Sequence, residues 1–520
     1  MEIKKDVDYI RSRKCPDVYT ESQTEHVLPD YLGDVRKILF TSARVRPSAK
    51  FAGGEEVECS GVVVYNLIYL DSEGNISSEE FTSDYDYSVK YSSESYNDSV
   101  ADTRVSNYSV RLMGPRKISA KASITGSVRL LENSSISLMG DSFERGDDVE
   151  VQNRPVKIRK TLVSPCMERE YAESVASLDG AIADEVSVIF SDVATTVESV
   201  EYEDSSVLVK GKIRMMAIIK NADSGAYLAE KVVSYEESVP FEGADDMMKF
   251  IPELTVTSVK SSVNAEDNGV QVVLSGIVEI CITAESNQGL SVVTDGYLKS
   301  CEASNVYDNF TYSELVDCYS VKGSHTAEIQ RSEIEATSLR EIVFLTATPK
   351  VESVRQDGSS IKIVGEIKYN GIASDVGENE EINYITLKFS SPFATNVNVD
   401  CQNPDNLRFD VKVVAHSIST GIDSESINAS CTLEANAVVY EEKSLRVLTT
   451  STAKETEPFE KNDSQIKVYY PTAGDTLFSV AKRFHTSSVK VATDNSIAES
   501  VFASDNPDGK LTGIKRLIIL

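Results

Sequence analysis

The chain has 520 residues, 41% hydrophobic and 26% charged, a balance that suits folded domains with full cores and excludes disorder as the default. Its formal charge of −30 excludes nonspecific attraction to nucleic acid or to an anionic membrane surface. Met1 to Asp6 carry no apolar run of signal-peptide length, and no stretch approaches the ~18 apolar residues of a membrane span, so a soluble cytosolic chain without membrane insertion is expected.

Strand elements begin with the triad Ile38-Leu39-Phe40. Ala52-Gly53-Gly54-Glu55 has turn composition, and Val57, Cys59, Gly61, Val63 and Tyr65 then alternate onto one strand face, with Val62 and Val64 making the other face apolar as well. Gly61 lies 23 residues after Ile38, and Ser88-Val89-Lys90-Tyr91 begins 27 residues after Gly61. The same markers return as Val188-Ile189-Phe190, Gly211 and Ser238-Val239-Pro240-Phe241, and again as Ile342-Val343-Phe344, Gly365 and Ser390-Ser391-Pro392-Phe393. The glycines are 150 and 154 residues apart, each 23 residues after the start of its triad, which reads as three copies of one unit. A glycine at an inward strand position marks a bulge or a close approach by another element.

Val197-Glu198-Ser199-Val200 and Val351-Glu352-Ser353-Val354 precede turn compositions at Glu203-Asp204-Ser205-Ser206 and Gln356-Asp357-Gly358-Ser359, so each unit opens with strand, turn, strand. A weaker symmetry places Gly126 and Gly276 65 residues after the first two marker glycines, with Ser430-Cys431 at that position in the third copy, so each unit reads as two similar β-modules. Frequent Val, Ile, Thr, Ser and Tyr with little helical periodicity predict a mostly β fold of three tandem antiparallel, sandwich-like domains. The boundaries fall at 1–160, 161–311 and 312–452, with Met167 to Val175 and Tyr312 to Ala336 as connectors holding one or two helical turns. A charged stretch with Glu455, Glu457, Glu460, Lys461 and Asp463 predicts a flexible linker, 453–465, ahead of a final segment, 466–520.

Eight cysteines are spread singly without a Cys-x-x-Cys pair, which predicts reduced, structural thiols and no zinc site. The four histidines, His26, His325, His416 and His485, stand apart from one another. No phosphate loop, Gly-x-Ser-x-Gly or His-Glu-x-x-His motif occurs, so no enzyme, cofactor or metal is expected.

The final segment holds seven basic and five acidic residues, a charge of +2 that leaves −32 on the rest of the chain. It opens with Tyr469-Tyr470-Pro471-Thr472-Ala473-Gly474-Asp475-Thr476-Leu477-Phe478-Ser479-Val480-Ala481-Lys482-Arg483-Phe484: a strand, a tight turn at Ala473-Gly474, and a helix capped by Asp475 or Thr476. Leu477, Val480, Ala481 and Phe484 follow helical spacing as its buried stripe. A second helix is expected over Ser488 to Asn495 with Val489 and Ala492 inward, and Leu517 to Leu520 as a strand pairing with the first, completing a small βααβ domain.

The Gly-Asp-Thr-Leu-x-Ser-x-Ala-Lys-Arg-Phe string resembles a LysM domain. That resemblance implies a groove for N-acetylglucosamine-containing glycans, with Gly474, Asp475, Thr476 and Leu477 on one side and Asn495 and Ile514 on the other. Phe478 replaces the frequent tryptophan, and the stretch from Ser496 to Gly509 is irregular for the family. The three units, with the entry segment Leu28-Pro29-Asp30-Tyr31-Leu32-Gly33-Asp34-Val35-Arg36-Lys37-Ile38-Leu39, resemble the SPOCS domains of spore-coat-associated proteins of endospore-forming bacteria. Repeated SPOCS-like units ending in a LysM domain resemble the clostridial spore-coat morphogenetic proteins. The resemblance implies a noncatalytic scaffold in the mother-cell cytoplasm, at the forespore surface and in the spore coat. Its implied partner is the coat-basement ATPase, stage IV sporulation protein A, bound through the LysM domain; the alternative is a protein that binds cortex peptidoglycan or a related glycan.

Overall fold

The computed structural model describes residues 4–53, 55–91, 96–139, 148–221, 225–334, 339–376, 382–400, 406–454, 459, 466–497, 510–511 and 513–520. The chain is mostly β, as its composition predicts. Its first strands are β1 (Lys4–Lys14), β2 (Val18–Val27), β3 (Val35–Gly53), β4 (Glu56–Asp71), β5 (Ile76–Lys90), β6 (Tyr96–Leu112) and β7 (Lys117–Met139). β3-β4-β5 is an antiparallel meander. β7 centres a second sheet, with β6 along one edge and β1 and β2 end to end along the other, separated at Cys15-Pro16-Asp17, where proline has no N–H to give a ladder.

The arrangement recurs with β8 (Val149–Val163), β9 (Met167–Asp179), β10 (Val186–Glu203), β11 (Ser206–Asn221), β12 (Gly225–Pro240), β13 (Lys249–Glu266) and β14 (Gly269–Leu298). β10-β11-β12 is the meander, and β14 pairs with β13 on one side and with β8 and β9 on the other, around Pro165. The third time it is built from β15 (Ala303–Gln330), β16 (Leu339–Asp357), β17 (Ser360–Val376), β18 (Ile382–Asn398), β19 (Leu407–Ile422) and β20 (Ser426–Ala453), with β15 running along the whole of β20. In each repeat the meander packs on the long-strand sheet around one apolar core.

Strand pairing corrects two expectations. The boundaries at 160/161 and 311/312 fall inside β8 and β15, because the strand that opens each repeat pairs with the strand that closes it. Met167 to Val175 lies in β9 and Tyr312 to Gln330 in β15; among the described residues only Arg331–Glu333 forms a helical turn there. A partner strand distant in the chain, rather than local propensity, dictates their conformation.

The triads explain their own recurrence. In each, the meander register shifts within the triad, at Ile38/Phe40, Val188/Phe190 and Ile342/Phe344. A bulge breaks the alternation of faces, so two successive side chains are buried: Leu39 with Phe40, Ile189 with Phe190, Val343 with Phe344. All six meet in one cluster between the repeats, where the Phe40 ring lies 5.7 Å from Phe190 and 5.2 Å from Phe344, and Phe190 lies 5.1 Å from Phe344. Around it β10 packs on β5, β16 on β12, and β3 on β17 and β18, a closed pseudo-threefold ring. Thr386 Oγ1 donates to the Leu39 carbonyl at 2.8 Å and the Ala226 N–H donates to the Tyr384 hydroxyl at 2.7 Å across two of these seams. A second shared core joins Tyr9 and Ile136 to Val156, Ile158 and Val292, and to Phe310 and Val447.

Each marker glycine lies opposite a bulge, at Pro47/Ala49, Val197/Ser199 and Val351/Ser353. A Cβ at Gly61, Gly211 or Gly365 would run into the carbonyl of Arg46, Thr196 or Lys350 and into the side chain of Tyr85, Tyr235 or Phe393 on the other neighbouring strand. The third marker is partly misaligned. Val89 pairs with Val57 and Val239 with Val207, but the residue pairing with Ile361 is Val397, so Phe393 is the counterpart of Tyr85 and Tyr235. The β17–β18 hairpin is longer than the other two, which hides the offset in the sequence. The expectation that all cysteines stand alone is also corrected: Cys166, just before β9, is joined by a disulfide to Cys281 on β14.

Candidate binding module

After the repeats come β21 (Lys467–Tyr469), α1 (Leu477–Arg483), α2 (Ser488–Asp494) and β22 (Leu517–Ile519), with Val468 opposite Ile518 in an antiparallel β21–β22 pair. The expected linker lies outside the described residues except for Ala453, Lys454 and Phe459, as do residues 498–509 of the irregular stretch. Gly474 takes φ +96°, a left-handed turn position suited to glycine. Asp475 locks that turn: its Oδ2 accepts from the Thr472 N–H at 2.7 Å, the Thr472 hydroxyl at 3.0 Å and the Tyr469 hydroxyl at 2.7 Å. The Thr472 N–H, followed by the Tyr469 hydroxyl, holds the Asp475 carboxyl below its ordinary range, and the same bond raises the Tyr469 phenol.

Thr476 is the N-cap of α1, in a reciprocal capping box with Ser479 at 2.9 and 3.0 Å. Leu477, Val480 and Ala481 are buried, with Phe484 packed against them. Asn495 ends α2 and ties it to β22, its Nδ2 donating to the Ile518 carbonyl at 2.7 Å and its Oδ1 accepting from the Ile518 N–H at 2.6 Å. Ile514 packs on the same small core. The structure brings Asp475 and Thr476 against Lys510 and Leu511, the Leu511 N–H donating to the Asp475 carbonyl at 3.0 Å, and places Asn495 at β22 instead. The polar side chains among the six expected site residues are thus engaged within the module itself. Val489, expected inward, is 71% exposed, because the buried phase of α2 runs through Ser488, Val491 and Ala492.

Sequence reasoning missed how the module is seated. Tyr297 of β14 is buried in the module's core, its ring 5.3 Å from Phe478 and its hydroxyl donating to the Thr486 carbonyl at 2.6 Å. Burial raises its phenol pKa strongly. Lys482 Nζ donates to both oxygens of Asp295 at 2.7 and 2.6 Å, and the Ser488 N–H donates to Glu150 Oε1 at 2.9 Å. Three side chains of the second repeat therefore clamp the α1–α2 junction, and each reads in sequence as an ordinary strand residue. Away from the clamp, Val468 is 53% and Ile518 37% exposed, with Tyr470 and Leu520 also exposed.

No family model, no curated protein and no solved structure matches the chain.

Proposed function

We propose that the chain is a noncatalytic scaffold of the spore coat, in which three SPOCS-like repeats form a platform and the terminal LysM-like module recruits the coat-basement ATPase, stage IV sporulation protein A. The observation carrying this reading is the module's orientation. Asp295, Tyr297 and Glu150 hold one part of it against the platform, while the cross-strand pair Val468 and Ile518, and Val489 on α2, remain exposed. We read the exposed Val468–Ile518 pair as the point at which a protein partner docks. Its basic balance against a body of −32 supports a division of labour between partner capture and platform. The glycan reading has less support, because Asp475, Thr476 and Asn495 spend their side chains on the module's own turn, cap and strand edge. The test is capture of the purified ATPase by the immobilised full-length chain. Val468→Asp and Val489→Asp should each abolish capture with circular dichroism unchanged; undiminished capture by both would overturn the reading.

A further inference from the structure

We propose that Cys166, Cys281 and Glu279 form a surface zinc site when the two cysteines are reduced. Glu279 and Cys281 are two residues apart on β14 and so project to the same face of the sheet. Cys166 immediately precedes Met167, which pairs with Ile280, and its Cα lies 4.4 Å from that of Cys281. One donor atom from each of the three residues lies within 4.8 Å of the others; Cys166 is exposed, Glu279 and Cys281 half-buried.

A second observation points to a cation. Glu168 lies directly opposite Glu279 on the adjacent strand. Two like charges facing each other across a ladder destabilise a sheet. Among the described residues neither carboxylate has a cationic partner, whereas Glu253, directly opposite Cys281 on the other neighbouring strand, is paired with Lys412. Two thiolates with one carboxylate are a zinc donor set, with Zn–S near ~2.3 Å and Zn–O near ~2.1 Å. Glu168 or a water completes the tetrahedron and relieves the facing charges.

In the structure the sulfurs are joined, so the site forms only after exchange with a cellular dithiol. The Sγ–Sγ bond breaks, the reductant's two sulfurs become its disulfide, and its two electrons and two protons pass to Cys166 and Cys281. Zinc then displaces both thiol protons as it binds. The exposed Cys166 sulfur is the accessible point of attack. The other described cysteines, Cys15, Cys59, Cys301, Cys318 and Cys431, join no such donor group among the described residues.

The experiment uses the full-length chain reduced with a phosphine, freed of reductant under anaerobic conditions and titrated with cobalt(II), then zinc(II). Reduced protein should develop a thiolate-to-cobalt charge-transfer band saturating at one equivalent and bleached by zinc, whereas oxidised protein should show none. Cys166→Ser should eliminate the band, and Glu279→Gln should weaken zinc binding about 10- to 100-fold in competition with a chromogenic chelator. Because Cys166 is exposed, that variant should keep the wild-type circular dichroism, and it decides the matter even if Cys281→Ser fails to fold. Absence of the band from reduced wild-type protein, or its persistence in Cys166→Ser, would overturn the proposal and leave the pair as a disulfide staple only.

Discussion

Arg159 and Glu285 form a buried bidentate pair, with Nε donating to Oε2 at 2.8 Å and Nη2 to Oε1 at 2.6 Å. Thr161 donates to the same carboxylate at 2.9 Å. Arg129 of the first repeat approaches Glu285 at 3.4 Å and pairs with Asp410 of the third, while the Arg159 guanidinium lies 4.4 Å from the ring centroid of Tyr440. This is where side chains of all three repeats meet in one polar network. Glu285→Ala strands an arginine whose side chain is 3% exposed, and the expected loss is about 3–5 kcal/mol in urea unfolding. Replacing both Arg159 and Glu285 with Met should cost clearly less, and equal losses in the single and double variants would contradict a coupled pair.

The aromatic cluster on the pseudo-threefold axis should hold the ring closed. Phe344→Ala removes a side chain that touches both Phe40 and Phe190, and a loss of about 3–5 kcal/mol is expected. Calorimetry should then resolve more than one transition where the wild type shows a single one. Phe40→Ala should behave alike, because the two rings occupy equivalent places.

Gly211→Ala drives a methyl into the Thr196 carbonyl and the Tyr235 ring, neither of which can move without disturbing the meander. A loss of about 1–3 kcal/mol is expected. Gly289→Ala, with open space at its Cβ, should leave the melting temperature near wild type and serves as the control.

Seating of the C-terminal module should depend on Asp295 and Tyr297. Lys482→Ala breaks a charge-assisted pair, and Tyr297→Phe removes the bond to the Thr486 carbonyl, each expected to weaken docking by about 1–3 kcal/mol. Hydrogen exchange at the α1 and α2 amides should accelerate in both variants, while exchange within the repeats stays slow.

Asp475 makes the module's turn sensitive to acid. A carboxyl held below its unfolded pKa contributes stability that is fully present above that value and is lost as pH falls through the folded one. The turn should therefore loosen as pH falls below about 4, the ordinary range of an aspartate. Hydrogen exchange at the Thr472 N–H should report this in the full-length protein, and Asp475→Asn should flatten the pH dependence.

What was legible in the sequence is what local periodicity encodes. Strand alternation around Gly61, Gly211 and Gly365 gave the central meander strands, and Asp204-Ser205, both at positive φ, gave a hairpin turn where the composition placed one. The opening strands were illegible because β9 and β15 take their conformation from β14 and β20, and their mixed polar and apolar residues show no clean period. The same limit hid the disulfide, since Cys166 and Cys281 meet only through β9–β14 pairing. In the module, motif reading located the turn, cap and buried stripe of α1, but not the seat formed by Glu150, Asp295 and Tyr297, which belongs to a contact between parts of the chain well over a hundred residues apart.

A trimer of identical subunits would carry the same side chain at every equivalent place, and its axis could hold only groups that tolerate being triplicated. Covalent fusion of the repeats lifts that restriction. Phenylalanine has been kept three times where apolar contact suffices, at Phe40, Phe190 and Phe344, while the polar network takes an arginine from one repeat, a glutamate from the next and an aspartate from the last. Each seam therefore has its own chemical address, and only one corner of an otherwise threefold body receives the C-terminal module.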